Sequence, residues 1–164
     1  MINDELIIKM TKFNSGDPKQ IQHFIKVYEF AHLIGVKENI DAEALKILDI
    51  ASIMHDIGIR PSKEKYGRSD GKLQEQEGPG YAKEMLESFS EINGEELQRV
   101  CFLIAHHHTY TNVDGIDWQI LLEADFLVNA YEDNLEPDAI RHFRDNIFKT
   151  KTGIGLINLM FGLV

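Results

Sequence analysis

Residues 41–58 read DAEALKILDIASIMHDIG, and this stretch predicts a helix that ends in a His-Asp pair. Asp41 is a residue type that caps helix N-termini, and Gly58 occupies the usual position of a glycine that follows a helix. Between them, apolar residues recur at helical spacing and form one stripe: Ala44, Ile47, Leu48, Ala51 and Met54. The stripe predicts a helix with one face in the core.

The pair at the end of this helix, His55-Asp56, is the first candidate for chemistry. His55 prolongs the apolar stripe, so we expect its ring to point inward. Asp56 is a carboxylate at the negative end of the helix macrodipole, which is unfavourable unless a cation lies nearby. A metal ion would satisfy both side chains, and a structural role for the pair is the alternative.

The rest of the chain also shows helical periodicity, without strand-like alternation of useful length. We predict an all-α fold of about six to seven helices in a single domain over residues 1–164. The predicted helices span about residues 3–13, 17–34, 41–56, 78–89, 95–108, 117–133 and 137–149. Residues 59–78 are polar without a clear period, and they are predicted to form a long functional loop.

Composition restricts the partners and the compartment. The 164 residues carry a formal net charge of −10, and no basic stripe is visible that would bind duplex nucleic acid or an anionic membrane. A single cysteine, Cys101, and an N-terminus without the basic region of a signal peptide favour the reducing cytoplasm. The apolar tail 154–164 is too short to span a bilayer, and we expect it to pack on the domain or across a homodimer.

Asp125 is a second candidate, because it occupies an apolar slot of the stripe that includes Leu121, Leu122 and Val128. An unpaired buried carboxylate costs several kcal/mol, so Asp125 is expected to be bound to a metal, paired in a buried salt bridge or protonated. By contrast, Glu123 and Glu132 are predicted to face solvent.

Histidines at inward positions supply further candidate ligands. His23 heads an apolar stripe on the second helix, and His107 and His108 continue the stripe of the fifth. Solvent exposure at the helix end is the alternative for the last two. Three histidines fall off these stripes and are predicted to be surface or packing residues: His32, His106 and His142. Imidazole and carboxylate ligands together suit a divalent transition metal, namely Fe, Mn, Co, Ni or Zn.

Taken in order, these residues resemble the HD superfamily of metal-dependent phosphohydrolases. The resemblance covers about residues 17–133 and lies in three motifs: HFIKVYEFA, ASIMHDIG and LLEADFLVNAYE. It implies that one ion is held by four ligands, which are His23, His55, Asp56 and Asp125. Similar members with two metals add a histidine at the start of the next helix, where this chain has Glu77. They also add histidines at the end of the following helix, where it has His107 and His108, so the site is expected to hold one or two ions.

The resemblance implies hydrolysis of a small phosphate ester or nucleotide by metal-activated water. Asp56 and Arg60, or a lysine within 63–72, would act on the phosphate, whereas Arg60 as a plain loop cation is the alternative. Tyr66 and Tyr110 are expected to line the pocket or only to pack. Many similar members place a lysine where this chain has Ile59, and it lacks the acidic residues that nucleotidase-like members carry after the pair. Two other functions therefore stay open: a metal-binding regulatory module and a di-iron oxygenase.

Overall fold

The computed structural model describes residues 2–163, which form helices joined by turns and loops of up to ten residues and contain no strand. The helices are α1 (Ile2–Phe13), α2 (Pro18–Lys37), α3 (Ala42–Met54), α4 (Ile59–Tyr66), α5 (Gly71–Leu86), α6 (Gly94–Ala105), α7 (Ile116–Glu132), α8 (Pro137–Ile147) and α9 (Lys151–Phe161). The prediction of an all-α fold is confirmed. Within the described residues, no helix combines the length and apolarity that crossing a bilayer requires.

Helices α3 and α7 form the interior of the bundle. Every residue of α3 from Ile47 to Met54 is buried, and α3 contacts α1, α2, α6 and α7. Helix α7 is buried along most of its length, and α2 packs against both α3 and α7. A helix that is enclosed on all sides is apolar around its circumference, so a polar side chain there needs a specific partner. The end of α3, where His55 lies, is therefore deep in the protein.

Several helix boundaries follow directly from capping residues. The side chain of Asp17 accepts a hydrogen bond from the backbone N–H of Gln20, and Pro18 opens α2. The side chain of Asp41 accepts from the backbone N–H of Ala44 and fixes the start of α3. Both caps satisfy donors that the first turn of a helix leaves unpaired, as the sequence predicts.

The predicted loop over residues 59–78 is wrong, because most of this segment is helical. It contains α4 and the first half of α5, whose N-cap is Asp70. Gly78 and Pro79 therefore lie inside α5 rather than at its start. The segment is rich in polar residues because α4 packs mainly against α5 and leaves much of its surface in solvent.

The predicted apolar tail contains a helix that brings the total to nine among residues 2–163, above the predicted six to seven. This helix, α9, packs on α7 and α2, and Val164 lies outside the described residues. Glu123 anchors it and is fully buried, so its predicted solvent exposure is wrong. The Glu123 carboxylate accepts hydrogen bonds from the backbone N–H groups of Lys149 and Thr150. A carboxylate at a helix N-terminus also interacts favourably with the macrodipole.

Gly58 has a different role from the predicted one. Its φ is −72°, so it is not a left-handed glycine at a helix end, and it stands at the start of α4. A Cβ atom at this position would lie 2.6 Å from the carbonyl oxygen of Gln74, which belongs to α5. The absence of a side chain at residue 58 thus permits a close backbone approach between the start of α4 and α5.

Candidate metal centre

Four of the predicted ligands converge from three separate elements. His23 comes from the second turn of α2, His55 and Asp56 follow the end of α3, and Asp125 comes from α7. His55 is fully buried, and the other three side chains are 5–11% exposed. His23 Nε2 lies 3.2 Å from His55 Nε2, 3.2 Å from an Asp56 oxygen and 3.3 Å from an Asp125 oxygen. His55 Nε2 lies 3.5 Å and 3.4 Å from the same two oxygens.

These separations match the edges of a metal coordination polyhedron. Adjacent ligand atoms bound to one first-row ion at about 2.0–2.3 Å are about 2.8–3.8 Å from one another in tetrahedral or octahedral geometry. The five separations that join each histidine to the other and to the two carboxylates lie between 3.2 and 3.5 Å. Both carboxylates therefore lie at ligand spacing from both histidines, and His23, His55 and Asp56 form a group that could hold a metal ion.

Backbone carbonyl groups fix the orientation of two histidine rings. His55 Nδ1 donates to the carbonyl oxygen of Ser52 at 2.8 Å, and His107 Nδ1 donates to that of Ile104 at 2.7 Å. A carbonyl only accepts, so each Nδ1 carries a hydrogen and Nε2 of each ring points into the cluster. His107 Nε2 is buried without a hydrogen-bond partner among the described residues. An orphaned lone pair of this kind fits a metal ion.

The pKa values of the cluster show how strongly it favours positive charge. Burial alone would lower the pKa of His23, but the carboxylates of Asp125 and Asp56 outweigh it and raise the pKa to about 11. The pKa of His107 is also raised, because Asp56 outweighs the effect of burial. Burial would raise the pKa of Asp125, yet His23 and His55 hold it far below its usual range. Without a metal, a proton on His23 offsets part of the negative charge of the two carboxylates.

Further side chains hold the candidate ligands in place. Gln20 Nε2 donates to Asp56 at 3.1 Å, and Asn129 Nδ2 donates to Asp125 at 2.9 Å. The carboxylate of Glu132 lies 2.9 Å from His23 Nδ1, and its other oxygen accepts from Lys26 at 2.6 Å. Glu132 is thus directed toward the cluster, and its predicted solvent exposure is wrong. Hydrogen bonds to ligands fix their tautomer and orientation in metal sites.

A second group of candidate ligands adjoins the first and shares Asp56 with it. Ligand atoms of Asp56, His107 and His108 all lie within 4.8 Å of one another. His107 is fully buried, and His107 Nε2 is 3.3 Å from an Asp56 oxygen. His108 Nε2 lies 2.8 Å from the Gln74 side-chain oxygen. Both histidines therefore point toward the cluster, and whether they hold a second ion stays a prediction.

The structure does not bring Glu77 to this group. Its carboxylate pairs with Lys65 and accepts a hydrogen bond from Tyr66 at 3.0 Å, beside a different cavity. Gln74 occupies the corresponding face of α5, because the buried stripe of this helix runs Gln74, Gly78, Ala82 and Leu86. The spacing of four residues is visible in the sequence. The predicted helix start at residue 78 left Gln74 outside the pattern.

An open cavity of about 180 Å³ leads from solvent to the cluster, with His23, Asp56 and His108 in its wall. The cation in its lining is Lys19, which the sequence reasoning missed. Arg60 lies in an adjoining cavity, and its guanidinium donates to the carbonyl oxygen of Phe13 at 2.7 Å and to Glu64 at 3.1 Å.

Other candidates lie outside the lining of the cluster cavity. The ring of Tyr110 packs against Phe143, and Tyr66 bonds Glu77. His32 pairs with Asp49, His106 stacks on Phe102, and His142 is exposed. These three histidines are therefore surface or packing residues, in agreement with the sequence pattern.

Comparison with known proteins identifies the family of this chain. A search of curated proteins gives no match. A solved structure, described as a predicted HD superfamily hydrolase from an uncultured Thermotogales bacterium, is 23% identical with a TM-score of 0.71. The alignment covers 98% of this chain and 85% of that one, which shows a shared fold. The family model for the HD domain matches residues 21–140, a span that holds all the ligands proposed for the cluster. This chain belongs to the HD domain family.

Proposed function

We propose that the protein is a metal-dependent phosphohydrolase that acts on a small phosphate ester or nucleotide. One observation carries the proposal: the carboxylates of Asp56 and Asp125 and the Nε2 atoms of His23 and His55 converge beside an open cavity. The proposed ligands of a first ion are His23, His55, Asp56 and Asp125. Its partner would be a small phosphorylated molecule.

A divalent transition metal bound there would lower the pKa of a coordinated water to about 7 and polarise a phosphoryl oxygen. The chain supplies the remaining functions. Gln20 and Asn129 each donate to one ligand carboxylate, which fixes the direction of its oxygens. Lys19 lines the cavity and can offset the negative charge that the phosphoryl group presents.

The arrangement supports hydrolysis better than oxygen activation by two irons. The oxygenase hypothesis requires Glu77 to act as a ligand beside His107 and His108. Glu77 is instead engaged by Lys65 and Tyr66, at a cavity whose lining includes neither histidine. We therefore propose the hydrolase, and a binding module without turnover becomes an outcome of the experiment below.

The test is a hydrolysis screen of the purified protein loaded separately with Mn²⁺, Fe²⁺, Co²⁺, Ni²⁺ or Zn²⁺. Phosphomonoester and phosphodiester forms of p-nitrophenol are suitable generic substrates. We expect metal-dependent release of p-nitrophenol that Asp56→Asn and Asp125→Asn abolish. His142→Ala is the control, because this exposed histidine lies on α8 outside the lining of the cavity. Tight metal binding without hydrolysis of any ester would favour the regulatory module.

A further inference from the structure

We propose that the substrate carries a second anionic group, which binds in the cavity beside the metal cluster. This inference rests on the proposed function and narrows its substrate class. The ligand would be a phosphate ester whose leaving group bears a carboxylate or a further phosphate. Arg60 and Lys63 would bind that second group.

The two cavities share part of their lining. Gln20 and Ile59 line both the cavity at the cluster and the adjoining one of about 210 Å³. Gln20 also donates to Asp56, so its side chain links the cluster to the passage between the cavities. Ile59 presents a half-buried apolar side chain at the same passage. A ligand that spans both cavities would thus place its uncharged middle part on Ile59.

The far cavity is lined by two cations. Arg60 is held in position by the carbonyl oxygen of Phe13 and by Glu64, and Lys63 stands one turn later on α4. The acidic residue in the lining is Asp17, whose side chain is engaged as the cap of α2. The balance of charge in this cavity therefore favours an anion.

Within the described part of the chain, the ammonium group of Lys63 has no hydrogen-bond or ion-pair partner, unlike those of Lys65 and Lys46, which line cavities elsewhere on the protein. Among residues 2–163, no hydrogen bond or ion pair is formed by the ammonium group of Lys63 or by that of Lys19 at the cluster. Lys65 pairs with Glu77, and Lys46 pairs with Glu96. In a chain of net charge −10, Lys19 in one cavity and Arg60 with Lys63 in the cavity that shares its lining place cations at two points, which suits a ligand with two separated negative groups.

The experiment compares matched esters on the metal-loaded protein. Phenyl phosphate is measured against its 3-carboxy and 4-carboxy derivatives, which differ from it by one anionic group. We expect at least one carboxylated ester to be preferred in kcat/KM by roughly two- to fivefold, the upper part of the range expected for exposed ion pairs. The double variant Arg60→Gln/Lys63→Gln should lower this ratio several-fold. Lys83→Gln/Lys149→Gln changes the net charge equally at exposed positions outside both cavities and should keep the wild-type ratio.

Binding of the matching phosphonates, which cannot be hydrolysed, separates this inference from the proposed function. If no ester is turned over, the proposed function fails, and calorimetry with phenylphosphonate and its carboxylated derivatives still decides the subsite. Tighter binding of a carboxylated phosphonate that the double variant loses would support the inference. Equal binding of all phosphonates, or an equal loss for all ligands in the double variant, would overturn it.

Discussion

Replacing Gly58 by alanine tests whether the close approach of α4 to α5 determines the geometry beside the cluster. The new Cβ would lie 2.6 Å from the carbonyl oxygen of Gln74 and 2.9 Å from the backbone nitrogen of Gly78. Both are backbone atoms inside α5, so a side-chain rotation cannot relieve the contact. The helices must move apart by several tenths of an ångström.

The magnitude follows from two opposing terms. Overpacking of a dense interior lowers the free energy of unfolding by about 1–3 kcal/mol. Replacing glycine by alanine also reduces the entropy of the unfolded chain, which raises the free energy of unfolding by about 0.4–1 kcal/mol. We expect a net loss of about 1–2 kcal/mol in the free energy of unfolding, and a fall in Tm of about 2–8 °C for a domain of this size. Because Gln74 contacts His108, metal affinity should fall as well.

Gly80→Ala is the matched control, since it lies in the same helix and a Cβ there meets nothing within 4 Å. It should stabilise the protein by about 0.8–1 kcal/mol through helix propensity alone. Scanning calorimetry of both variants in excess chelator measures the fold without metal. A Gly58→Ala variant that melts at or above the wild type would refute the packing argument.

Three further predictions concern buried polar groups. Glu123→Ala should cost about 2–4 kcal/mol in the free energy of unfolding, because it leaves buried backbone N–H groups of Lys149 and Thr150 unpaired. The control variant Glu136→Ala should change the free energy of unfolding by less than about 0.5 kcal/mol. Equal Tm values for the two variants would contradict this prediction. Glu132→Ala should weaken metal binding by about 10–100-fold in chelator competition. Glu132→Gln should weaken it less, because the amide oxygen still accepts a hydrogen bond from His23. Unchanged metal affinity in both variants would show that Glu132 does not orient the His23 ring. Protonated His23 stabilises the metal-free fold fully below pH 6.5, and this contribution is lost as the pH rises through about 11. A metal ion that binds His23 must displace that proton. Calorimetry should therefore show a metal affinity that rises from pH 6 to 9 and a release of protons on binding. A metal affinity that stays constant with pH would contradict the assignment of His23 as a ligand.

The sequence predicted that three of the four candidate ligands point inward, because His23, His55 and Asp125 each extend or break an apolar helical stripe, whereas Asp56 was predicted from its place at the negative end of a helix. Asp125 stands in an apolar slot, and His55 continues the stripe of α3, and both lie at the cluster in the structure. This kind of signal depends only on the period of a helix. It places a side chain on the inner face without any knowledge of how the helices pack.

Other features depend on tertiary contacts that the pattern does not encode. The buried role of Glu123 requires the N-terminus of α9 to lie beside α7. The function of Gly58 requires α5 to begin at residue 71, and the sequence reasoning placed its start at residue 78. Because of the same error, Glu77 was predicted to be a ligand and Gln74 was not considered, although the four-residue spacing from Gln74 to Leu86 can be seen in the sequence. Lys19 was missed because an exposed lysine carries no local signal of the cavity beside it.

The central claim is that this chain holds a divalent metal between its α2, α3 and α7 ligands. Anomalous diffraction from crystals grown with Mn²⁺ tests it most directly, since the signal locates the ion independently of any activity. We predict a peak enclosed by His23, His55, Asp56 and Asp125, which disappears in crystals of Asp125→Asn. A map with no peak at this cluster, or with a Mn²⁺ peak at Glu77 instead, would contradict the account.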